Sequence, residues 1–123
     1  MKFPRILIVE DDGALRELYK TVFEIESFEV IFAVDGEEAV ERAKSEVPDF
    51  ILLDIMLPKK SGLEVLQELK EDAKMAKIPV ITLTALSDKE TKIKAETLGV
   101  VSHNVKALTR ISDIVGLVKE NLK

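Results

Sequence analysis

Three short runs of consecutive apolar residues restrict the possible folds of this chain more than any other sequence feature. They lie within the segments RILIVE, FILLDI and IPVITLTA, which begin at residues 5, 50 and 78. Each run has the length of a strand and does not alternate regularly with polar residues, which is typical of strands covered on both faces. The three segments therefore predict central strands of a parallel sheet that has helices on both sides.

Amphipathic stretches follow these strands and complete a repeating strand–helix order. Two further segments, FEVIFAV from residue 28 and the weaker VVSHNV from residue 100, predict strands two and five. The predicted helices span residues 13–25, 35–47, 61–72, 87–99 and 111–122. In the fourth helix we expect Ser87 to be the N-cap and Gly99 to be the C-terminal stop. Five strand–helix pairs with right-handed crossovers predict a single (βα)5 domain over residues 1–123, a doubly wound sandwich of three layers.

The charge and composition of the chain exclude several classes of function. The net charge is −5, which disfavours nucleic acid or an anionic membrane as the main partner. The chain has no cysteine and one histidine, so thiolate zinc sites, cysteine nucleophiles and multi-histidine metal centres are excluded. The first apolar run is short and acids follow it at once, which fits neither a signal peptide nor a membrane span. We therefore expect a cytoplasmic protein.

Polar and charged residues stand directly after the apolar runs. Glu10 and Asp11 follow strand one, Asp54 ends strand three, Thr84 ends strand four, and Lys106 follows strand five. Ligands of open parallel sheets bind beyond the carboxyl ends of the strands, so these side chains should converge at one edge. Gathered carboxylates repel one another, and a hard divalent cation such as Mg²⁺ relieves that repulsion. The lysine supplies a compact positive charge that suits a phosphoryl oxygen.

Asp54 is the residue whose position most needs an explanation. An ionised carboxylate is costly to bury without partners, yet the most hydrophobic segment of the chain leads directly to it. Held at the end of a rigid strand, Asp54 can accept a phosphoryl group as a nucleophile. In-line phosphoryl transfer depends mainly on position and charge neutralisation, which the cation and Lys106 would supply.

Each of these residues also has an ordinary structural interpretation. An acidic residue after a strand often starts the next helix, as we expect for Asp12. A threonine at a strand end is commonly just a good strand former, and a lone lysine is usually a solvated surface group. Because four such groups stand at the ends of four different strands, a common site is the better interpretation.

The combination of motifs resembles the receiver domain of bacterial two-component response regulators. The matching segments are ILIVEDD, PDFILLDIMLP with the following SG, IPVITLTA and the lysine of VSHNVKA, and the likeness covers essentially the whole chain. It implies a flavodoxin-like fold, and a histidine kinase or phosphotransfer protein as phosphoryl donor. It also implies Asp54 as the acceptor, with Glu10 and Asp11 as the acidic pair. Asp11, Asp54 and the main-chain carbonyl of Met56 would hold Mg²⁺ or Mn²⁺.

The part that matches the family's output switch departs from the usual pattern. Thr84 and Lys106 match the switch hydroxyl and the phosphate-binding lysine, whose movement a downstream protein would sense. The family usually has an aromatic residue on strand five and a proline after the lysine, whereas this chain has His103 and Ala107. An imidazole turned inward at this position can hydrogen-bond Thr84, and the alternative is a solvated histidine on a partner-binding surface. The peptide bond after Lys106 should be trans.

Three functions fit these observations to different degrees. The first is a phospho-receiver, whose only catalysis is its own phosphorylation and dephosphorylation. The second is a degenerate receiver that binds partners without phosphorylation, which the altered strand five suggests and the intact acceptor residues oppose. The third is an aspartyl-phosphate hydrolase of the haloacid dehalogenase type, but Met56 stands where its acid/base would be and cannot transfer a proton. The sequence leaves open whether the chain is a stand-alone receiver or a fragment of a longer regulator.

Overall fold

The computed structural model describes residues 2–122, which form one sheet with helices on both faces. The strands are β1 (Arg5–Val9), β2 (Glu29–Ala33), β3 (Phe50–Asp54), β4 (Val80–Thr84) and β5 (Ser102–Val105). The helices are α1 (Gly13–Ile25), α2 (Gly36–Glu46), α3 (Gly62–Glu71), α4 (Lys89–Thr97) and α5 (Ile111–Glu120), with 3₁₀ turns at Met75–Lys77 and Lys106–Leu108. None of these helices combines the length and the apolar character that crossing a bilayer requires.

All neighbouring strands are parallel, and their order in the sheet is β2-β1-β3-β4-β5. The chain therefore winds in one direction from β1 to β2 and then returns past β1 to place β3 on its other side. The carboxyl ends of β1 and β3 lie next to each other at this reversal, where Val9 pairs with Leu53. Such a switch point is where doubly wound sheets bind their ligands. The predicted five-stranded, flavodoxin-like fold is confirmed.

The core forms one apolar layer on each face of the sheet. Ile6 and Ile8 of β1 point to the layer shared with α1 and α5, whereas Leu7 and Val9 point to the layer shared with α2 and α3. β3 and β4 are buried along their whole length. Because residues of both parities must be apolar in a strand covered on both faces, the sequence shows continuous runs instead of alternation.

The helix ends agree with the sequence analysis at most positions and correct it at one. Asp12 caps α1, since its Oδ1 accepts the N–H of Leu15 at 3.0 Å. The expected N-cap Ser87 is wrong: Asp88 caps α4, because its Oδ2 accepts both the N–H and the hydroxyl of Thr91 at 2.9 and 2.8 Å. Gly99 follows the end of α4 with a φ of 84°, a left-handed conformation that glycine adopts without strain.

Candidate functional site

Three carboxylates meet at the switch point between β1 and β3. One oxygen atom each from Glu10, Asp11 and Asp54 can be chosen so that all lie within 4.8 Å of one another. Glu10 and Asp54 are 2% and 5% exposed, whereas Asp11 is exposed to solvent. The neighbouring Asp12 is occupied as a helix cap, and its N–H donates to Glu10 Oε2 at 3.1 Å. The edge of the sheet therefore holds a cluster of oxygen ligands that is open on the Asp11 side.

Lys106 closes the buried side of this cluster. Its Nζ donates to Glu10 Oε1 and to Asp54 Oδ2, both at 2.9 Å, although the three residues are far apart in the sequence. Its own side chain is 25% exposed. The side chains of Glu10, Asp11, Asp54 and Lys106 thus converge as predicted. The ammonium group of the lysine bridges the two buried carboxylates.

Burial and hydrogen bonds within the cluster shift the pKa values of Glu10 and Lys106. Burial raises the pKa of Glu10 above its ordinary value, even though hydrogen bonds from Lys106 and the Asp12 N–H work in the opposite direction. Burial alone would lower the pKa of Lys106, but its hydrogen bonds to Glu10 and Asp54 outweigh this effect and raise it. Lys106 is therefore a permanent cation at neutral pH, and it offsets carboxylate repulsion within the folded site.

The two oxygens of Asp54 have different partners. Oδ2 accepts from Lys106, while Oδ1 accepts the N–H of Met56 at 3.0 Å. The chain thus turns immediately after β3, and the Met56 main chain lies against the Asp54 carboxylate. The side chain of Met56 is 52% exposed and points away from the core. The contribution of the Met56 carbonyl as a metal ligand stays a prediction.

Two glycines allow the segment after Asp54 to pack closely. A Cβ on Gly62 would lie 2.2 Å from the Asp54 carbonyl oxygen, and one on Gly36 would lie 1.9 Å from the Lys60 carbonyl oxygen. The Gly62 N–H also donates to the Ile55 carbonyl at 2.8 Å. A side chain at either position would clash with the main chain of Asp54 or Lys60. The starts of α2 and α3 therefore pack closely against the segment that follows Asp54 and hold it in place.

Thr84 lies at the carboxyl end of β4 and is fully buried. Its hydroxyl accepts the N–H of Leu86 at 3.1 Å, which holds the turn after the strand. The hydroxyl makes no hydrogen bond to Asp54 or Lys106 among the described residues. Its predicted role toward a phosphoryl group therefore stays a prediction.

The expected hydrogen bond between His103 and Thr84 is not the one that the structure contains. His103 Nδ1 lies 2.7 Å from Thr82 Oγ1, because β4 and β5 pair with Thr82 opposite His103 and Thr84 opposite Val105. The imidazole is half-buried. The imidazole thus bonds a strand hydroxyl, as one of the two alternatives allowed, but its partner lies two residues before Thr84 on β4.

The turn after β5 accommodates Ala107 in place of the family's usual proline. No cis peptide bond occurs within residues 2–122, so the peptide bond between Lys106 and Ala107 is trans, as expected. Lys106 begins a 3₁₀ turn, and the Thr109 hydroxyl donates to the Val105 carbonyl at 2.8 Å. The lysine consequently reaches both carboxylates without a proline after it.

His103 should make stability depend on pH near neutrality. Burial lowers the pKa of His103 below 6.5, and Lys92 on α4 adds to this effect, whereas Glu96 on α4 and Asp88 at its N-cap oppose it. Between the folded and unfolded pKa values the unfolded chain binds more protons, so stability is highest above about pH 6.5 and falls as the pH is lowered. His103→Gln should remove this loss, as measured by urea unfolding between about pH 5.5 and 7.5. Parallel curves for the two proteins would show that His103 does not titrate in this way.

The donor set fits a hard divalent cation. Glu10, Asp11 and Asp54 offer carboxylate oxygens only, and the exposed face of Asp11 leaves room for water or phosphate oxygens. Mg²⁺ prefers such sites, with one or two carboxylates and several waters, and Mn²⁺ accepts the same ligands. Among the described residues this is the one group of three or more acids and histidines close enough to share an ion.

Sequence reasoning missed several residues that shape the site. Arg16 contacts the main chain of Glu10 and Asp11, which form the acidic loop after β1. Gly36 and Gly62 support the segment that follows Asp54, and Thr82 binds His103. The glycines had a detectable signal, because each directly follows a helix N-cap, Asp35 or Ser61. Arg16 and Thr82 have no comparable local signal, since their roles depend on contacts across the fold.

Comparison with known proteins agrees with the geometry of the site. Residues 6–118 match the model of the family described as the response regulator receiver domain. The alkaline phosphatase synthesis transcriptional regulatory protein PhoP of Bacillus subtilis is 36% identical over 122 residues, covering 89% of this chain and 50% of that protein. The chain spans about half the length of the curated relatives that it matches.

Solved structures show the same architecture. The receiver domain of the Francisella response regulator 1452 superimposes with a TM-score of 0.87 at 29% identity, covering 95% of this chain and 94% of that one. The Mn²⁺-bound form of response regulator Rcp1 has a TM-score of 0.81 at 31% identity, covering 93% of this chain and 88% of that one. The presence of a divalent ion in that second structure is consistent with the oxygen cluster described above.

Proposed function

The chain belongs to the response regulator receiver domain family, and on this premise we propose that residues 1–123 form a single receiver domain that accepts a phosphoryl group on Asp54. The donor would be the phosphohistidine of a histidine kinase or of a phosphotransfer protein. The domain is a signalling module, and its only catalysis is the formation and loss of its own phosphoryl group. Binding to a downstream protein would change with the phosphorylation state.

The observation that carries this proposal is the arrangement around Asp54. Its carboxylate ends a rigid, fully buried strand, Lys106 lies 2.9 Å from one oxygen, and two further carboxylates lie alongside. A structural ion pair would need no exposed third acid such as Asp11. A degenerate receiver would have no need to retain the whole set.

The residues present can perform the transfer in one step. An oxygen of Asp54 forms a bond to phosphorus while the bond between phosphorus and the donor imidazole nitrogen breaks, and its electron pair stays on the imidazole. The Met56 N–H and Lys106 hold the carboxylate in position. Lys106 would then exchange its contact with Asp54 for one with a phosphoryl oxygen, and the Thr84 hydroxyl would follow the same group.

A divalent cation completes the charge balance of the site. Glu10, Asp11, Asp54 and the Met56 carbonyl would hold it, as Mg²⁺ or Mn²⁺. When bound, the cation neutralises negative charge on the carboxylates and on the incoming phosphoryl oxygens. The net charge of −5 supports a protein as the downstream partner, rather than direct binding of this domain to DNA.

Phosphorylation is expected to require both Asp54 and a divalent ion. Incubation of the protein with acetyl phosphate and Mg²⁺ should add one phosphoryl group, detected by intact-mass spectrometry and lost in alkali as expected for an acyl phosphate. Asp54→Asn should abolish the mass shift, because a neutral amide oxygen is a far weaker nucleophile. Excess chelator should prevent the shift in the wild-type protein.

The matched control is Asp12→Asn, which changes an acid beside the cluster while keeping a side chain that can cap α1. This variant should be phosphorylated normally. A phosphoryl group that persists in Asp54→Asn would place the acceptor elsewhere. A wild-type protein that takes up no phosphate under these conditions would support the phosphorylation-independent receiver.

A further inference from the structure

Arg16 contacts the acidic loop, Glu10 and Asp11, through main-chain oxygens and makes no hydrogen bond to the carboxylates of the site among the described residues. It lies on α1, and its Nη1 donates to the carbonyl oxygens of Glu10 and Asp11 at 2.9 and 3.4 Å. These are the main-chain oxygens of the two residues whose carboxylates form the oxygen cluster with Asp54. One guanidinium group thereby links the first helix to both residues of the acidic pair.

The guanidinium is itself held in place by an aromatic ring. Its central carbon lies 5.9 Å from the centre of the Phe32 ring on β2, within the range of a cation–π contact. The side chain is half-buried. With the ring on one side and two carbonyls at its edge, the arginine has little freedom to leave this position, and its planar shape suits the arrangement better than a flexible ammonium would.

We propose that Arg16 is a positioning residue for the divalent cation: it fixes the main chain of Glu10 and Asp11 so that their carboxylates stay directed toward Asp54. This inference rests on the proposed function and deepens it. Asp11 is exposed and makes no side-chain hydrogen bond among the described residues, so its direction depends on its main chain. Mutation of groups that orient metal ligands typically lowers metal affinity by about 10- to 100-fold.

Charge and position act in opposite directions here, which makes the proposal testable. A positive charge behind the loop repels a cation, so loss of the charge alone would strengthen metal binding. Loss of the hydrogen bonds from Arg16 to the two carbonyl oxygens would weaken metal binding. Arg16→Lys keeps the charge and removes the planar fork, and therefore separates the two effects.

Mg²⁺ affinity should be measured by isothermal titration calorimetry on the wild type and on Arg16→Lys, with melting temperatures recorded in metal-free buffer. A second probe is the emission of Tyr19, because the chain has one tyrosine and no tryptophan. The charges of Glu10, Asp54 and Lys106 reach this hydroxyl, whose pKa is raised to about 12 mainly by burial. Lys20→Gln removes a positive charge one turn further along the same helix and is the matched control.

Arg16→Lys is expected to bind Mg²⁺ about tenfold more weakly than the wild type, while Lys20→Gln binds it with unchanged or slightly higher affinity. Phe32→Leu, which leaves Arg16 in the chain but removes its aromatic support, should lose affinity by a smaller factor. This second variant keeps the test decisive if the first is unstable.

Equal Mg²⁺ affinity in the wild type, Arg16→Lys and Phe32→Leu would overturn the inference, whatever the melting temperatures. A lower melting temperature with unchanged affinity would assign Arg16 a purely structural role. Failure of the wild type itself to bind Mg²⁺ would instead contradict the proposed function, and the inference with it, so the two failures are distinguishable.

Discussion

Lys106→Met should lower the free energy of unfolding in metal-free buffer at pH 7 by about 3–5 kcal/mol, the usual cost of removing one partner from a buried ion pair. The variant leaves the side chains of Glu10 and Asp54, which are 3% and 5% exposed, close to each other without a cation. Methionine fills a similar volume, so little of the loss would come from packing. Urea unfolding of the two proteins measures the effect.

The loss should be partly reversible in two ways. Added Mg²⁺ binds the folded state only and should restore more stability to the variant than to the wild type. Lowering the pH should also help, because burial already raises the pKa of Glu10 and removal of Lys106 raises it further. A carboxyl with a raised folded pKa costs stability as the pH rises through that value, so the stability difference between the variant and the wild type should be smaller at about pH 5 than at about pH 7.

Lys94→Met is the matched control for burial. Lys94 also contacts a carboxylate at 2.9 Å, but both partners, Lys94 and Glu90, are largely exposed. Such a pair contributes about 0.3–0.5 kcal/mol, and neither Mg²⁺ nor mild acid should change that figure. Equal losses in the two variants would mean that Lys106 is no more than a surface partner. The family resemblance implies a role of Lys106 in switching, and its two contacts with buried carboxylates predict a further role in folding.

Replacing Met56 with asparagine and Leu86 with serine should shorten the lifetime of the phosphorylated form by at least about tenfold, which is less than the roughly 10²- to 10⁴-fold that a positioned proton-transfer group contributes. The family resemblance implies that these two positions tune hydrolysis. Both side chains are apolar, with exposed fractions of 52% and 37% at the mouth of the site, so neither can orient an attacking water. The wild-type phosphoryl group should accordingly be long-lived.

The measurement is phosphate release from the phosphorylated protein after removal of the donor, with Mg²⁺ present. Ile93→Asn is the control, since Ile93 is a 59% exposed apolar residue of α4 that belongs to no part of the site. It should leave the decay rate unchanged. Decay rates in Met56→Asn and Leu86→Ser that match the control would show that both residues face a partner and do not govern hydrolysis.

Several features of the site could be predicted from the sequence because they depend on short-range rules. A strand covered on both faces must be apolar at consecutive positions, so residues 6–9 and 50–53 identify themselves as central strands. Parallel strands bring their carboxyl ends to one edge, and the residues that follow the strands must then meet there. Glu10, Asp11, Asp54 and Lys106 do so.

The tertiary structure alone decided which atoms meet. His103 bonds Thr82 and not Thr84, because both threonines lie on the same face of β4 and only the register with β5 selects between them. The contact of Arg16 with the acidic loop likewise depends on the position of α1 relative to Phe32 on β2. Periodicity predicts which residues share a face of a helix or strand. The position of one packed element relative to the next depends on the whole core, and this position determines which side chains contact each other.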